Sequence, residues 1–157
     1  MRSRTAWDSP IGRLLIAADD MGICEIRLLK PEDEISEENE RTPLLHRAVK
    51  EIEEYFAGKR RVFDLPLSVS GTAFERAVWQ ALGSIPFGET RTYGQLAARI
   101  GRPKGARAVG GACARNPLLI VVPCHRVIGS SGALTGFAAG MDAKRFLLTL
   151  EGYKKTE

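Results

Sequence analysis

From Thr90 through Met141 the chain carries no aspartate and no glutamate. Arg91, Arg99, Arg102, Lys104, Arg107, Arg115 and Arg126 all lie in that window. A long stretch with cations and no carboxylates suits a polyanion. On its own it also fits an ordinary solvated basic face. Other absences exclude more. No apolar run approaches the ~20 residues of a membrane span. Residues 1–8 lack the apolar core of a signal peptide. The expectation is a cytoplasmic protein with no membrane partner. Histidine is scarce, with only His46 and His125, and the cysteines are Cys24, Cys113 and Cys124. No CxxC or HxxxH pair offers metal-ligand spacing, so no metal is expected. An odd, scattered cysteine set also argues against a disulfide framework.

What is present is ordinary for a globular chain: 157 residues, 44% hydrophobic and 27% charged. A chain of this size buries about two-thirds of its unfolded surface and needs no staples. Its charge is unevenly spread. Residues 1–71 hold 11 basic and 14 acidic side chains, and residues 72–157 hold 12 basic and 5 acidic. The first part reads as strands. Ile11 to Ala17 and Gly22 to Leu29 flank the turn signal Asp19-Asp20-Met21-Gly22, which predicts a β-hairpin. Pro31 to Glu40 is an acidic loop. Leu44, Leu45, Ala48, Val49, Ile52, Tyr55 and Phe56 repeat with helical period, and Gly58 ends that helix. Val62 to Leu67 reads as an edge strand, because Pro66 cannot donate to a ladder.

Ser68 to Gly71 reads as a linker. Thr72 with Glu75 forms a capping box and starts a helix. Thr92 to Ile100 and Gly105 to Ala114 are short helices around Gly101-Arg102-Pro103-Lys104, a helix-turn-helix pattern. In the second, nearly every side chain except Arg107 is tiny. Such a helix permits close backbone approach, either to a nucleic-acid groove or to another helix. The run Leu118-Leu119-Ile120-Val121-Val122 reads as a buried strand leading to Pro123-Cys124-His125-Arg126. Met141 to Leu150 is a last helix, with Phe146, Leu147 and Leu150 on its apolar side. Cys24 and Trp79 read as core, and Cys113 has no assigned chemistry. The fold class expected is α+β in two domains. Residues 1–71 form a strand-rich domain with a helix. Residues 72–157 form a mainly helical domain with the helix-turn-helix and a buried cysteine.

The cysteine motif carries the chemistry. A thiol flanked by His125 and Arg126 sits in an electropositive setting, which favours the reactive thiolate. Beside such groups a pKa near ~8.5 can fall to roughly 3.5–7.5. The reading is a dry, activated nucleophile.

Several features together resemble the O6-alkylguanine-DNA alkyltransferase family. They are Pro123-Cys124-His125-Arg126-Val127, the helix Arg107-Ala108-Val109-Gly110-Gly111-Ala112, Asn116-Pro117, Phe87-Gly88-Glu89, Tyr93, and the closing Lys144-x-x-Leu147-Leu148-x-x-Glu151-Gly152. The resemblance covers Phe74 to Gly152. It implies direct-reversal repair of DNA. A guanine alkylated at O6, or a thymine alkylated at O4, is flipped from the duplex, and its alkyl group moves irreversibly to Cys124. It implies His125 as general base through a water, Glu151 orienting His125, and Asn116 bracing the turn before the cysteine. Arg107 would fill the gap left by the flipped base, and Tyr93 would help drive the flip and donate to the guanine ring. Thr92, Ala106, Gly110 and Arg115 would join them against DNA, in the minor groove. The carbonyls of Cys124 and Val127 would accept from the guanine amine, and the amide of Ala138 would meet O6.

Phe137 and Ala139 would complete the pocket. The family often carries Tyr and Gly at those two positions, which bears on tolerance for bulky O6 groups. No cofactor is implied. The expected partner is double-stranded DNA containing O6-alkylguanine, and the expected state is a monomer. Two alternatives stay open: a lesion-binding protein that transfers nothing, and a helix-turn-helix regulator.

Overall fold

The structure is a computed structural model and describes residues 2–35, 41–134 and 136–153. It divides into two compact units, Met1–Val69 and Ser70–Glu157. Part of the predicted acidic loop, residues 36–40, lies outside the described residues.

In the first unit, strands β1 (Ser3–Ser9), β2 (Gly12–Ala18) and β3 (Ile23–Leu28) form an antiparallel sheet in the order β1-β2-β3. The predicted hairpin is β2–β3. Asp19 closes its turn by accepting from the amides of Met21 (2.8 Å) and Gly22 (3.2 Å). These bonds, after one from the Ser68 hydroxyl, hold the Asp19 carboxyl below its usual pKa. The central strand buries Leu14 through Ala18 without alternation. Strand β1 has no counterpart in the sequence reading. It buries only Thr5 and Ala6, too little apolar pattern to announce a strand. Helix α1 (Pro43–Phe56) packs on all three strands through Leu45, Ala48, Val49, Ile52 and Tyr55. Its N-cap is Thr42, whose side chain accepts from the Leu45 amide, with Pro43 entering the first turn.

Val62 to Leu67 makes no strand. Only Leu67 bridges Ile23, in parallel, because Pro66 has no N–H to extend a ladder. Cys24 is partly exposed on β3 rather than core.

In the second unit, α2 (Ala73–Gly83) begins at the predicted capping box, with both halves formed between Thr72 and Glu75. The Trp79 indole donates to the Ala112 carbonyl at 2.9 Å, tying α2 to α4 (Ala106–Ala114). Helix α3 (Tyr93–Arg99) packs on α4 as a helix-turn-helix. A second capping box starts α3, between Thr92 and Gln95. Gly101, at φ 79°, makes the left-handed turn between the two helices.

The predicted strand Leu118 to Val122 is instead a buried series of turns. Pro117 and Pro123 bracket it, and Ile120 takes φ 73°, which no extended ladder accommodates. A β-branched residue at that φ is strained. Cys124–Arg126 then form a single 3-10 turn. Two-residue strands β4 (Arg91–Thr92) and β5 (Val127–Ile128) pair in parallel, Arg91 with Val127 and Thr92 with Ile128. This pairing sets the start of α3 beside the cysteine segment. The last helix, α5 (Met141–Leu150), buries Ala143, Lys144, Leu147 and Leu148. Phe146, expected on the apolar side, is 41% exposed, on the side of the helix away from Leu148 and beside the exposed Arg145 and Asp142. Among the described residues, no helix is long and apolar enough to cross a membrane.

Candidate active site

Cys124 is buried at 5% exposure and opens onto a cavity of about 250 Å³. Tyr93 from α3, Gly110, Cys113 and Ala114 from α4, and Phe137 and Ala138 from the loop before α5 also line it. The α4 residues share one face, spaced three and four apart.

Asn116 braces the sulfur. Its Nδ2 donates to Sγ of Cys124 (3.3 Å) and to the Val122 carbonyl (2.8 Å). Its Oδ1 accepts from the Leu118 amide (2.9 Å), which holds the buried turns in place. The side chain therefore reaches the sulfur from a fixed position.

His125 is fully buried. Its Nε2 lies 2.7 Å from Oε2 of Glu151, so the carboxylate calls for the proton on Nε2. Nδ1 is buried with no hydrogen-bond partner among the described residues. Glu151 caps the C-terminus of α5, where a carboxylate opposes the helix dipole. Its stabilisation comes from Arg126, whose Nε (2.7 Å) and Nη2 (3.0 Å) donate to both its oxygens. Arg126 also donates to the Ile85 carbonyl at 2.6 Å and stacks over Phe87.

This arrangement overturns the expected thiolate. Arg126 is spent on Glu151, and burial holds His125 below its usual pKa despite Glu151. Burial likewise pushes the Cys124 thiol up, with Asn116 and then Lys144 pulling the other way. The resting site therefore holds a neutral thiol beside a neutral imidazole. Residues next to a cysteine in sequence need not lend it their charge, and here the next two side chains turn to Glu151.

Lys144 was missed as a site residue. It is fully buried on α5, with Nζ donating to the Val127 carbonyl at 2.6 Å. Burial lowers its pKa, and charge on Cys124 or Cys113 would raise it. Its place among Ala143, Leu147 and Leu148 was the available signal.

Asn116 thus meets Cys124, Glu151 meets His125, the next residue in the chain, and Tyr93, Gly110, Phe137 and Ala138 meet at the cavity. Val127 and Ala139 are not among the described residues lining it, and one lone pair of the Val127 carbonyl already serves Lys144. Arg107 is exposed on α4, and Ala106 is partly exposed at its first turn. Thr92 uses its hydroxyl to cap α3. Arg115 is paired with Glu75 at the start of α2 instead of standing free. No cluster of three or more His, Cys, Asp or Glu able to hold a metal occurs among the described residues.

Comparison with known proteins matches both units. Residues 3–69 match the 6-O-methylguanine DNA methyltransferase, ribonuclease-like domain, and residues 73–153 match the DNA binding domain of the same name. A methylated-DNA–protein-cysteine methyltransferase of Methanosarcina acetivorans is 48% identical over 149 residues, covering 93% of this chain and 96% of the relative. A constitutive one of Bacillus subtilis is 46% identical, covering 96% of each. The crystal structure of Mycobacterium tuberculosis O6-methylguanine methyltransferase superposes with TM-score 0.85 at 44% identity, covering 96% of this chain and 93% of that one. The same organism's protein in complex with DNA gives TM-score 0.84, covering 93% of this chain and 90% of that one.

Proposed function

The chain belongs to the 6-O-methylguanine DNA methyltransferase family, whose function is DNA repair by alkyl transfer, and from that premise we propose how its own residues perform the transfer. The acceptor is Cys124. A guanine carrying an O6-alkyl group leaves the duplex and enters the cavity between Tyr93 and Phe137. Sγ attacks the alkyl carbon, an S–C bond forms, and the O–C bond breaks. The electron pair remains on the guanine, toward which the Tyr93 hydroxyl donates. The thiol proton passes by way of a water to Nδ1 of His125, and Glu151 stabilises the resulting imidazolium. This follows the logic of a nucleophile, base and orienting acid. The thioether is stable, so each molecule reacts once.

The observation that carries this reading is the bare, buried Nδ1 of His125 in a ring whose Nε2 is held by Glu151. A ring so held has one free lone pair and one place to receive a proton. DNA as partner is supported by the match of residues 73–153 to a DNA binding domain. We assign α4 to the minor groove, because a helix of Gly and Ala fits a narrow groove, and Arg107 to the gap left by the base. The remaining DNA contacts fall to Thr92, Ala106, Gly110 and Arg115. The protein acts as a monomer in the cytoplasm.

The test is intact-mass analysis after incubation with an O6-methylguanine duplex. One methyl group should appear, on Cys124 alone. Folded, reduced protein that gains no mass would overturn the proposal. In the same assay, His125→Ala should slow transfer by about 10²–10⁴-fold, the usual worth of a positioned base.

A further inference from the structure

One nucleophilic group at this cavity has no part in the transfer. Cys113, on α4, is buried at 8% exposure and lines the same cavity of about 250 Å³ as Cys124. The two are joined through one residue. The backbone amide of Asn116 donates to the Cys113 carbonyl (3.2 Å), and its side chain donates to Sγ of Cys124 (3.3 Å). Charge on Cys124 also bears on Cys113. Cys124 pushes the Cys113 thiol further up, and Lys144 pulls both thiols down. Two free thiols therefore line one small cavity, and the charge of a buried Lys144 bears on both.

We propose that Cys113 is a resolving thiol for Cys124, so that the site has an oxidised, reversible, closed state besides its open and alkylated ones. This rests on the reading of Cys124 as the reactive thiol. A peroxide is small enough to enter where a nucleotide must be flipped to enter. Cys124 gives up its proton and, as thiolate, attacks one peroxide oxygen. The O–O bond breaks, Cys124 becomes a sulfenic acid, and the other oxygen takes up the proton the thiol released and leaves as water or alcohol. The Cys113 sulfur then attacks the sulfenic sulfur. An S–S bond forms, and the hydroxyl leaves with the Cys113 proton as water. The two thiols are oxidised by two electrons, and the peroxide is reduced by two.

Cys113 suits this role because it stays out of the first reaction. Burial raises its thiol to about 12, so it does not compete for the alkyl group. It becomes useful only when an electrophilic sulfur forms beside it. The disulfide would fill the cavity and bar a flipped base. Thiol reductant would restore it. Without Cys113, the sulfenic acid is exposed to a second oxidation to sulfinic acid, which thiols do not reverse.

The experiment exposes the full reduced chain to hydrogen peroxide near stoichiometry. Peptides are then mapped by mass spectrometry under non-reducing conditions, and methyl transfer is measured before and after reductant. The expected product is a Cys113–Cys124 disulfide that forms within single molecules, lighter by two hydrogens. It should also form in Cys24→Ser. Transfer should be lost on oxidation and recovered almost fully with reductant. In Cys113→Ala and Cys113→Ser, the same dose should convert Cys124 to sulfinic acid, and under about a tenth of each variant's starting transfer should return.

Sulfinic acid on Cys124 with Cys113 still free in the native chain would overturn the proposal. So would pairing through Cys24, or a Cys124 that resists a dose that oxidises free cysteine. The two readings fail separately. A reversible Cys113–Cys124 disulfide in a protein that never accepts methyl would sink the repair assignment alone. Methyl transfer without that disulfide would sink the resolving thiol alone.

Discussion

At the scale of single residues, the site depends on where charge is neutralised. Arg126 and Glu151 make a bidentate pair whose side chains are 8% and 1% exposed. Glu151→Gln would leave the Arg126 guanidinium buried without its counter-ion, at a cost of about 3–5 kcal/mol. Adding Arg126→Met should recover most of that stability, because a buried pair is often replaceable by apolar side chains. Transfer should not recover, since His125 still lacks its carboxylate. Urea unfolding and a single-turnover assay on the two variants separate these effects. Recovered transfer in the double variant would show that Glu151 acts only through stability.

The same residues set a pH window. His125 is buried neutral, with its pKa below the ordinary 6.5. An unfolded chain protonates this histidine near 6.5 and the folded one does not, so acid favours unfolding. Stability from this group is complete above about 6.5. It falls as pH drops through 6.5 toward the lowered folded pKa, by at most about 1.4 kcal/mol per pH unit. His125→Gln should flatten that slope in unfolding curves taken across pH. The burial of Lys144 was legible from its place among Ala143, Leu147 and Leu148, but its reach to the cysteine turn was not. That reach depends on the register of α5 against the turn, and the register is a tertiary fact.

At the scale of elements, the helix starts were legible and the irregular backbone was not. Thr72 and Glu75 announced α2 because a capping box is made within four residues. Ile120 gave no sign of its positive φ, because a β-branched residue in an apolar run advertises a strand. Its conformation is imposed by surroundings distant in sequence. Strand β1 was equally hidden, since its place is set by pairing with β2 and not by its own pattern.

Helix α4 offers a test of what its small residues are for. A Cβ at Gly110 would lie 3.8 Å from the Tyr93 ring, an ordinary contact. Gly110→Ala should therefore leave the fold intact and add up to about 1 kcal/mol of helix stability. Gly110 also lines the cavity, so the same methyl should slow transfer. Thermal melting and transfer rates moving in opposite directions would mark α4 as shaped for close approach. If both rise together, its glycine has no role at the cavity.

At the scale of the whole molecule, charge is divided along the chain. The window without carboxylates, Thr90 to Met141, lies entirely in the second unit. Binding to undamaged duplex should be weak, roughly 10⁻⁴–10⁻⁶ M, and should weaken steeply with salt. Arg107→Ala should reduce the salt slope more than Arg115→Ala, because Arg115 is already paired with Glu75. Fluorescence anisotropy over a salt series measures both, and equal slopes would remove the distinction.

The buried ammonium of Lys144 has one more consequence. Its charge and a thiolate at Cys124 support each other. Before reaction, the interior can therefore reach local neutrality by releasing one proton from sulfur. A thioether cannot ionise. Once alkylated, the interior has lost that route, and the upward pull that a Cys124 anion exerts on the Lys144 pKa is gone. The finished protein is thus chemically spent and also electrostatically different from the fresh one.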